Sequence, residues 1–157
     1  MSSYGKAVVL GPGEGQEFTL GADRVLIKGM TDHAGDGFSV VEYHGATNNP
    51  GPPLHVHHTF EECWFILDGQ VAFTVEGHVV RGHAGSFFLV PRGTAHTFEV
   101  VGPTPARWVG IFSPGRYMRL LEELGEVIPL DGPPDLAAVE ALFARYDTEI
   151  VSAPAAS

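Results

Sequence analysis

Residues 51–69 read GPPLHVHHTFEECWFILDG. Three histidines fall within four positions, two glutamates follow, and an apolar run closes on Asp-Gly. In an extended chain alternate side chains share a face, so His55 and His57 point one way and His58 the other. On the next strand Glu62, Trp64 and Ile66 share a face, while Glu61 and Cys63 take the opposite one. Converging, His55, His57 and Glu62 form a cluster that suits first-row transition metals and leaves coordination positions open. The plainer reading is a pair of surface histidines on an exposed edge. The surroundings weigh against it, because the pair follows a Gly-Pro-Pro turn and precedes an apolar strand. An unpaired carboxylate buried beside them would cost several kcal/mol, which a bound cation removes.

A second stretch, residues 85–101, reads GSFFLVPRGTAHTFEVV. Gly85 turns the chain, residues 86–90 form a strand, and Pro91-Arg92-Gly93-Thr94 makes a turn. His96 opens the next strand, with Phe98 and Val100 on its face. Alone, such a histidine is a polar strand end. Beside the first cluster it becomes a fourth ligand candidate.

The chain of 157 residues is long enough for one domain with one core. Hydrophobic residues make up 44% and fill that core, while Gly 20 and Pro 12 favour turns and short strands. A formal net charge of −10 repels nucleic acid and anionic membranes, which leaves small molecules as the expected partners. One cysteine, Cys63, allows no internal disulfide. It is expected in core packing and not as a ligand. No apolar run reads as a signal peptide or a membrane span, so the expectation is a cytoplasmic protein.

About ten short runs rich in Val, Phe, Trp and Thr, each bounded by Gly, Pro, Asp or Asn, predict an all-β sandwich or barrel. Asp68-Gly69 and Glu76-Gly77 read as hairpin turns, the first the stronger. After residue 112 the period changes. Ser113 suits a cap, Pro114 a first helical position and Gly125 a stop. Tyr117, Leu120, Leu121 and Leu124 fall at helical spacing. In a second helix Leu136, Val139, Phe143 and Tyr146 lie on one side. The expected organisation is one domain over 1–150, with a barrel core at about 37–113 and helices at about 114–147. Residues 151–157 are read as a tail.

Together the two stretches resemble the cupin superfamily. His55-x-His57, four residues, Glu62, six residues and Gly69 match the first cupin motif, with Gly51 closer to the histidines than the usual leading glycine. Gly85, Pro91, Gly93 and His96 match the second at every spacing, with Val100 in place of its final Asn. The resemblance implies a double-stranded β-helix (a jelly-roll barrel) with short C-terminal helices. It implies one divalent transition metal, Fe, Ni, Co, Mn, Cu or Zn, held by His55, His57, Glu62 and His96. His33, His44, His58, His78 and His83 have no place in the motifs and are read as turn or surface residues.

The longer stretches PPLHVHHTFEECWFILDGQVAFTV and FFLVPRGTAHTFEVVGPTPARWVGIFSPG look like bacterial monocupins of the quercetin 2,3-dioxygenase-like kind. That resemblance implies an enzyme cleaving a flavonol-like or other enol with O2, with Glu62 as both ligand and catalytic base. The alternatives are a metal-dependent isomerase or cyclase of a small molecule, and a cupin that binds without turnover. By strand parity Trp64, Ile66, Phe98 and Val100 share the ligand face and are expected to line the substrate pocket. Phe73, Phe88, Trp108 and Phe112 are further pocket candidates, with barrel core as the other reading. Arg92 is expected as a solvated turn residue and Arg107 in a structural ion pair. A homodimer is expected, as in many cupins.

Overall fold

The computed structural model describes residues 2–4, 7–30 and 36–152. The turn expected around His33, and residues 153–157 of the expected tail, lie outside the described residues. Short β-branched and aromatic runs form thirteen strands among the described residues. These are β1 (Ser2–Tyr4), β2 (Ala7–Val9), β3 (Gln16–Leu20), β4 (Asp23–Gly29), β5 (Ser39–Gly45), β6 (His55–His57) and β7 (Glu61–Asp68). They continue with β8 (Gln70–Val75), β9 (His78–His83), β10 (Phe87–Val90), β11 (His96–Val101), β12 (Ala106–Ser113) and β13 (Thr148–Ile150). Between β12 and β13 lie a 3-10 turn (Gly115–Tyr117) and two helices, α1 (Met118–Val127) and α2 (Leu136–Arg145). Among the described residues no helix is long and apolar enough to cross a membrane.

The fold is an all-β double-stranded β-helix. One sheet has the order β10-β7-β12-β5-β4-β3, the other β13-β6-β11-β8-β9, and β1 pairs with β2 alone. Every pairing is antiparallel. Asp68-Gly69 is not a hairpin, because β7 and β8 belong to different sheets. It turns the chain from one sheet into the other. The hairpin lies at Glu76-Gly77, where Val75 faces His78. Both turn residues take positive φ, 49° and 82°, as a two-residue loop of the primed type requires. Turn chemistry sets the local bend but not the sheet that the next strand joins.

Period-two alternation fills the barrel. Inward positions are Ser39, Val41, Tyr43 and Gly45 on β5, Glu62, Trp64 and Ile66 on β7, and Ala106, Trp108, Gly110 and Phe112 on β12. Register sets Trp108 between Tyr43 and Ile66. Tyr43, Trp108 and Trp64 stack nearly parallel, with ring centroids 4.4 and 4.8 Å apart, and Phe98 meets Trp64 edge-on at 4.6 Å. Each such pair adds about 0.5–1.5 kcal/mol beyond the area it buries. Cys63 departs from the expected core position. It lies half-buried on the outer face of β7, beside Leu89 and Ile111, because Glu62 and Trp64 take the inner face.

The helices also depart from the capping signals. Ser113 ends β12 and donates to the Gly37 carbonyl, and the 3-10 turn separates Pro114 from α1. Gly125 lies inside α1, where a Cβ would sit 2.5 Å from the Thr19 carbonyl oxygen. Glycine is there to let α1 lie close against β3. Asp135 caps α2 by accepting from the Ala137 and Ala138 N–H groups. Helix α2 buries Val139, Leu142 and Phe143, but Leu136, expected on the same side, is exposed. After α2 the chain returns as β13 against β6, an edge pairing that helical periodicity did not anticipate.

Candidate metal centre

Four side chains from three strands meet at one end of the barrel. His55 and His57 leave β6, His96 leaves β11 directly opposite His55, and Glu62 reaches across from β7 in the other sheet. One donor atom from each lies within 4.8 Å of every other, and all four residues are buried. The His55 and His57 Nε2 atoms are 3.1 Å apart, the His96 Nε2 is 2.8 Å from Glu62 Oε1, and the His57 Nε2 is 4.0 Å from the same oxygen.

The outer nitrogens of the rings fix how the inner ones present themselves. His55 Nδ1–H donates to the Pro53 carbonyl at 2.8 Å, and His96 Nδ1–H donates to the Thr94 carbonyl at 2.9 Å. A carbonyl can only accept, so both rings carry a proton on Nδ1. His57 Nδ1 lies 2.9 Å from the Thr148 hydroxyl. With Nδ1 protonated, His55 and His57 turn two Nε2 lone pairs toward each other with no proton between them. A cation resolves that conflict. Donors about 2 Å from one first-row ion lie roughly 3–4 Å apart, so shifts of about half an ångström would gather all four around one ion. The residues therefore fit a divalent metal.

Burial dominates the proton affinities here. It lowers His55 to about 4 and His57 to about 2, holding both neutral and able to ligate. Burial also works against charge on Glu62 and His96. Their contact outweighs it, lowering Glu62 to about 2 and raising His96 above the ordinary histidine value. In the absence of metal that contact favours a carboxylate accepting a hydrogen bond from the His96 ring. A metal ion would take the place of the shared proton.

A cavity of about 420 Å³ opens beside the cluster. His55, His57 and Glu62 line it, together with Trp64, Phe98, Trp108 and Phe112 of the expected pocket set. Ile66, Val100, Phe73 and Phe88 do not; they pack in the core or against it, with Phe73 stacked on Phe88 at 3.8 Å. Alternation assigns a face to each residue but not which inward side chains reach the cavity: Phe88 lies opposite Trp64, Ile66 opposite Trp108 and Phe73 opposite Phe98, yet none of them lines it. Unanticipated lining comes from Tyr43, Phe60, Tyr117, Leu124 and Phe143. Phe60 lies 3.9 Å from the His57 ring and 3.8 Å from Tyr117. Among the described residues no Lys or Arg lines the cavity.

His58, His78 and His83 are exposed and His44 is half-buried on β5. Arg92 pairs with Glu61 at 2.7 Å and Arg107 with Glu42 at 3.2 Å, both at the surface. Thr148 escaped the sequence reading because it lies 91 residues from His57 and carries no motif.

A family model described as a cupin domain matches residues 41–112. The quercetin 2,3-dioxygenase of Bacillus subtilis (strain 168) is 28% identical over 92 residues, which are 59% of this chain and 27% of that protein. The chain thus spans about a quarter of that relative's length. An RmlC-like cupin from Shewanella frigidimarina superposes with a TM-score of 0.60 at 19% identity, over 70% of this chain and 93% of that one. Pac13, a nucleoside dehydratase, superposes with a TM-score of 0.52 at 17% identity, over 72% and 83%. At these identities the structural likenesses bear on fold alone.

Proposed function

Since the chain carries a cupin domain over residues 41–112, we propose that it is a metal-dependent dioxygenase acting on a flavonol-like or other neutral enol. The observation that carries this reading is a four-donor cluster opening onto an apolar, aromatic cavity that, among the described residues, no Lys or Arg lines. Among the described lining residues an anionic sugar or nucleotide would find no Lys or Arg to pair with. A flat, uncharged ring would find Trp64, Trp108, Phe98 and Phe112. The relationship to a quercetin 2,3-dioxygenase supports the oxygen-dependent version.

His55, His57, Glu62 and His96 would hold a divalent transition ion, which when bound would supply positive charge for an enolate oxygen and, if redox-active, oxygen chemistry. Glu62, the one carboxylate of the cluster, lines the cavity and takes the enol proton at a carboxylate oxygen. The aromatic row orients the substrate ring and excludes water. Both atoms of O2 enter the product, so no external reductant is needed.

The test is oxygen uptake with quercetin by protein loaded separately with iron, nickel, cobalt, manganese, copper and zinc. The expected result is one O2 consumed per quercetin lost with a redox-active ion, and none with zinc. Turnover without O2 uptake would instead favour the isomerase or cyclase reading.

We also propose a homodimer through the outer face of the larger sheet. Phe65, Phe87 and Leu89 are exposed there, Phe87 directly opposite Phe65. Neighbouring charges are already paired, Arg92 with Glu61 and Arg107 with Glu42. Exposed apolar faces of this kind mark contact surfaces. Leu89→Asp is expected to convert a sedimenting dimer to monomer. A wild-type monomer at micromolar concentration would end this proposal.

A further inference from the structure

We propose that Thr148 is a positioning residue that sets the tautomer and orientation of His57, so that β13, outside the matched residues 41–112, completes the site. This rests on reading His57 as a ligand. Thr148 is the direct cross-strand partner of His57 and is 4% exposed. Its Oγ1 lies 3.2 Å from the Tyr146 carbonyl and 2.9 Å from His57 Nδ1. A threonine hydroxyl has one proton. The Tyr146 carbonyl can only accept, so it takes that proton, and Oγ1 is left to accept from His57 Nδ1–H. His57 Nε2 then keeps its lone pair and presents it to the cluster. Phe60 closes on the His57 ring at 3.9 Å, so the ring is held by an aromatic neighbour and a hydroxyl.

The three histidines differ in where this help comes from. His55 and His96 each donate to the carbonyl two residues earlier, Pro53 and Thr94, a contact built into the local backbone. His57 has a side chain from 91 residues away. Two backbone bonds keep that strand in place, His58 N–H to the Asp147 carbonyl at 2.9 Å and Val151 N–H to the Leu54 carbonyl at 2.9 Å. His57 therefore has its orienting partner only when the chain has returned past α2. Orienting partners of metal-bound histidines typically change affinity by about 10–100-fold.

The experiment compares wild type, Thr148→Val and Thr148→Ser. Zinc affinity is measured by competition with a chromophoric chelator, and the His57 tautomer by nitrogen-15 NMR of the metal-free protein. Wild type and Thr148→Ser are expected to carry the proton on Nδ1 and to bind zinc alike. Thr148→Val is expected to lose that single tautomer and about 10-fold or more in zinc affinity. Equal affinity in Thr148→Val, or a wild-type His57 protonated on Nε2, would overturn the proposal. The wild-type spectrum decides the tautomer even if Thr148→Val does not fold. Wild-type protein that binds no zinc would instead sink the metal reading, a distinct outcome.

Discussion

The two ends of the barrel are built from the same alternation and do different work. At one end β6, β7 and β11 turn His55, His57, Glu62 and His96 inward beside a cavity. At the other, the same or neighbouring strands turn Ile66, Val71, Phe73 and Val100 inward, all nearly inaccessible. Between them lies the stacked row of Tyr43, Trp108 and Trp64. The closed end supplies stability through burial of apolar area. The open end gathers polar groups whose burial costs free energy unless something joins them. Parity along a strand cannot distinguish the two ends, because both lie on its inner face.

The sharpest way to break this comparison is to cut into each end. Phe73→Ala removes a ring that is 1% exposed and is expected to destabilise the protein by about 3–5 kcal/mol. Urea denaturation measures the loss, and the folded fraction should bind zinc as wild type does. A matching drop in zinc affinity would mean that the ends are coupled. His55→Gln is expected to do the reverse. It removes a neutral ring, leaves no unpaired charge, and lowers zinc affinity by at least about 100-fold, beyond the range of an orienting partner. Its denaturation midpoint without metal should stay near that of wild type.

A pH series separates the ends without mutation. The folded values of His55 and His57, about 4 and about 2, lie below the unfolded value of 6.5. The unfolded chain therefore binds protons that the folded chain refuses, and metal-free stability falls as pH drops from 6.5 toward 4. Glu62, folded near 2 against 4.5 unfolded, adds a further loss below 4.5. His96 runs the other way: its value is raised, so its contribution is full below 6.5 and fades as pH rises through the folded value. Denaturation at pH 7, 5.5 and 4 should show a decline that zinc at pH 7 does not mimic. A flat profile would mean that the histidines are not held neutral. The smallest effect is expected at the boundary between the ends. Trp64 lines the cavity with its indole N–H buried and unpaired. Trp64→Phe keeps a ring there and should raise the quercetin KM several-fold while zinc affinity holds. An unchanged KM would place the substrate away from the aromatic row.

Several readings failed for one shared reason. Asp68-Gly69 carries strong turn chemistry, yet β8 leaves for the other sheet, where Val71 and Phe73 bury beside β11. Gly125 reads as a helix stop and is instead a contact point with the Thr19 carbonyl. Cys63 reads as core but lies on the outer face. In each case the residue's chemistry was legible and its neighbour was not.

What the chain's own residues determined is the short-range part. Alternation put His55 with His57 and Glu62 with Trp64, spacing set His96 at a strand start after a Pro-Arg-Gly turn, and the short bounded strands gave the all-β class; the four-donor set itself came from the resemblance of these stretches to the cupin motifs. Only the tertiary structure decided which inward side chains reach the cavity, which strand each one joins, and that Thr148 returns to hold His57. Strand periodicity is a property of a few consecutive bonds. Depth in the barrel and contact across 91 residues depend on how whole sheets close on each other.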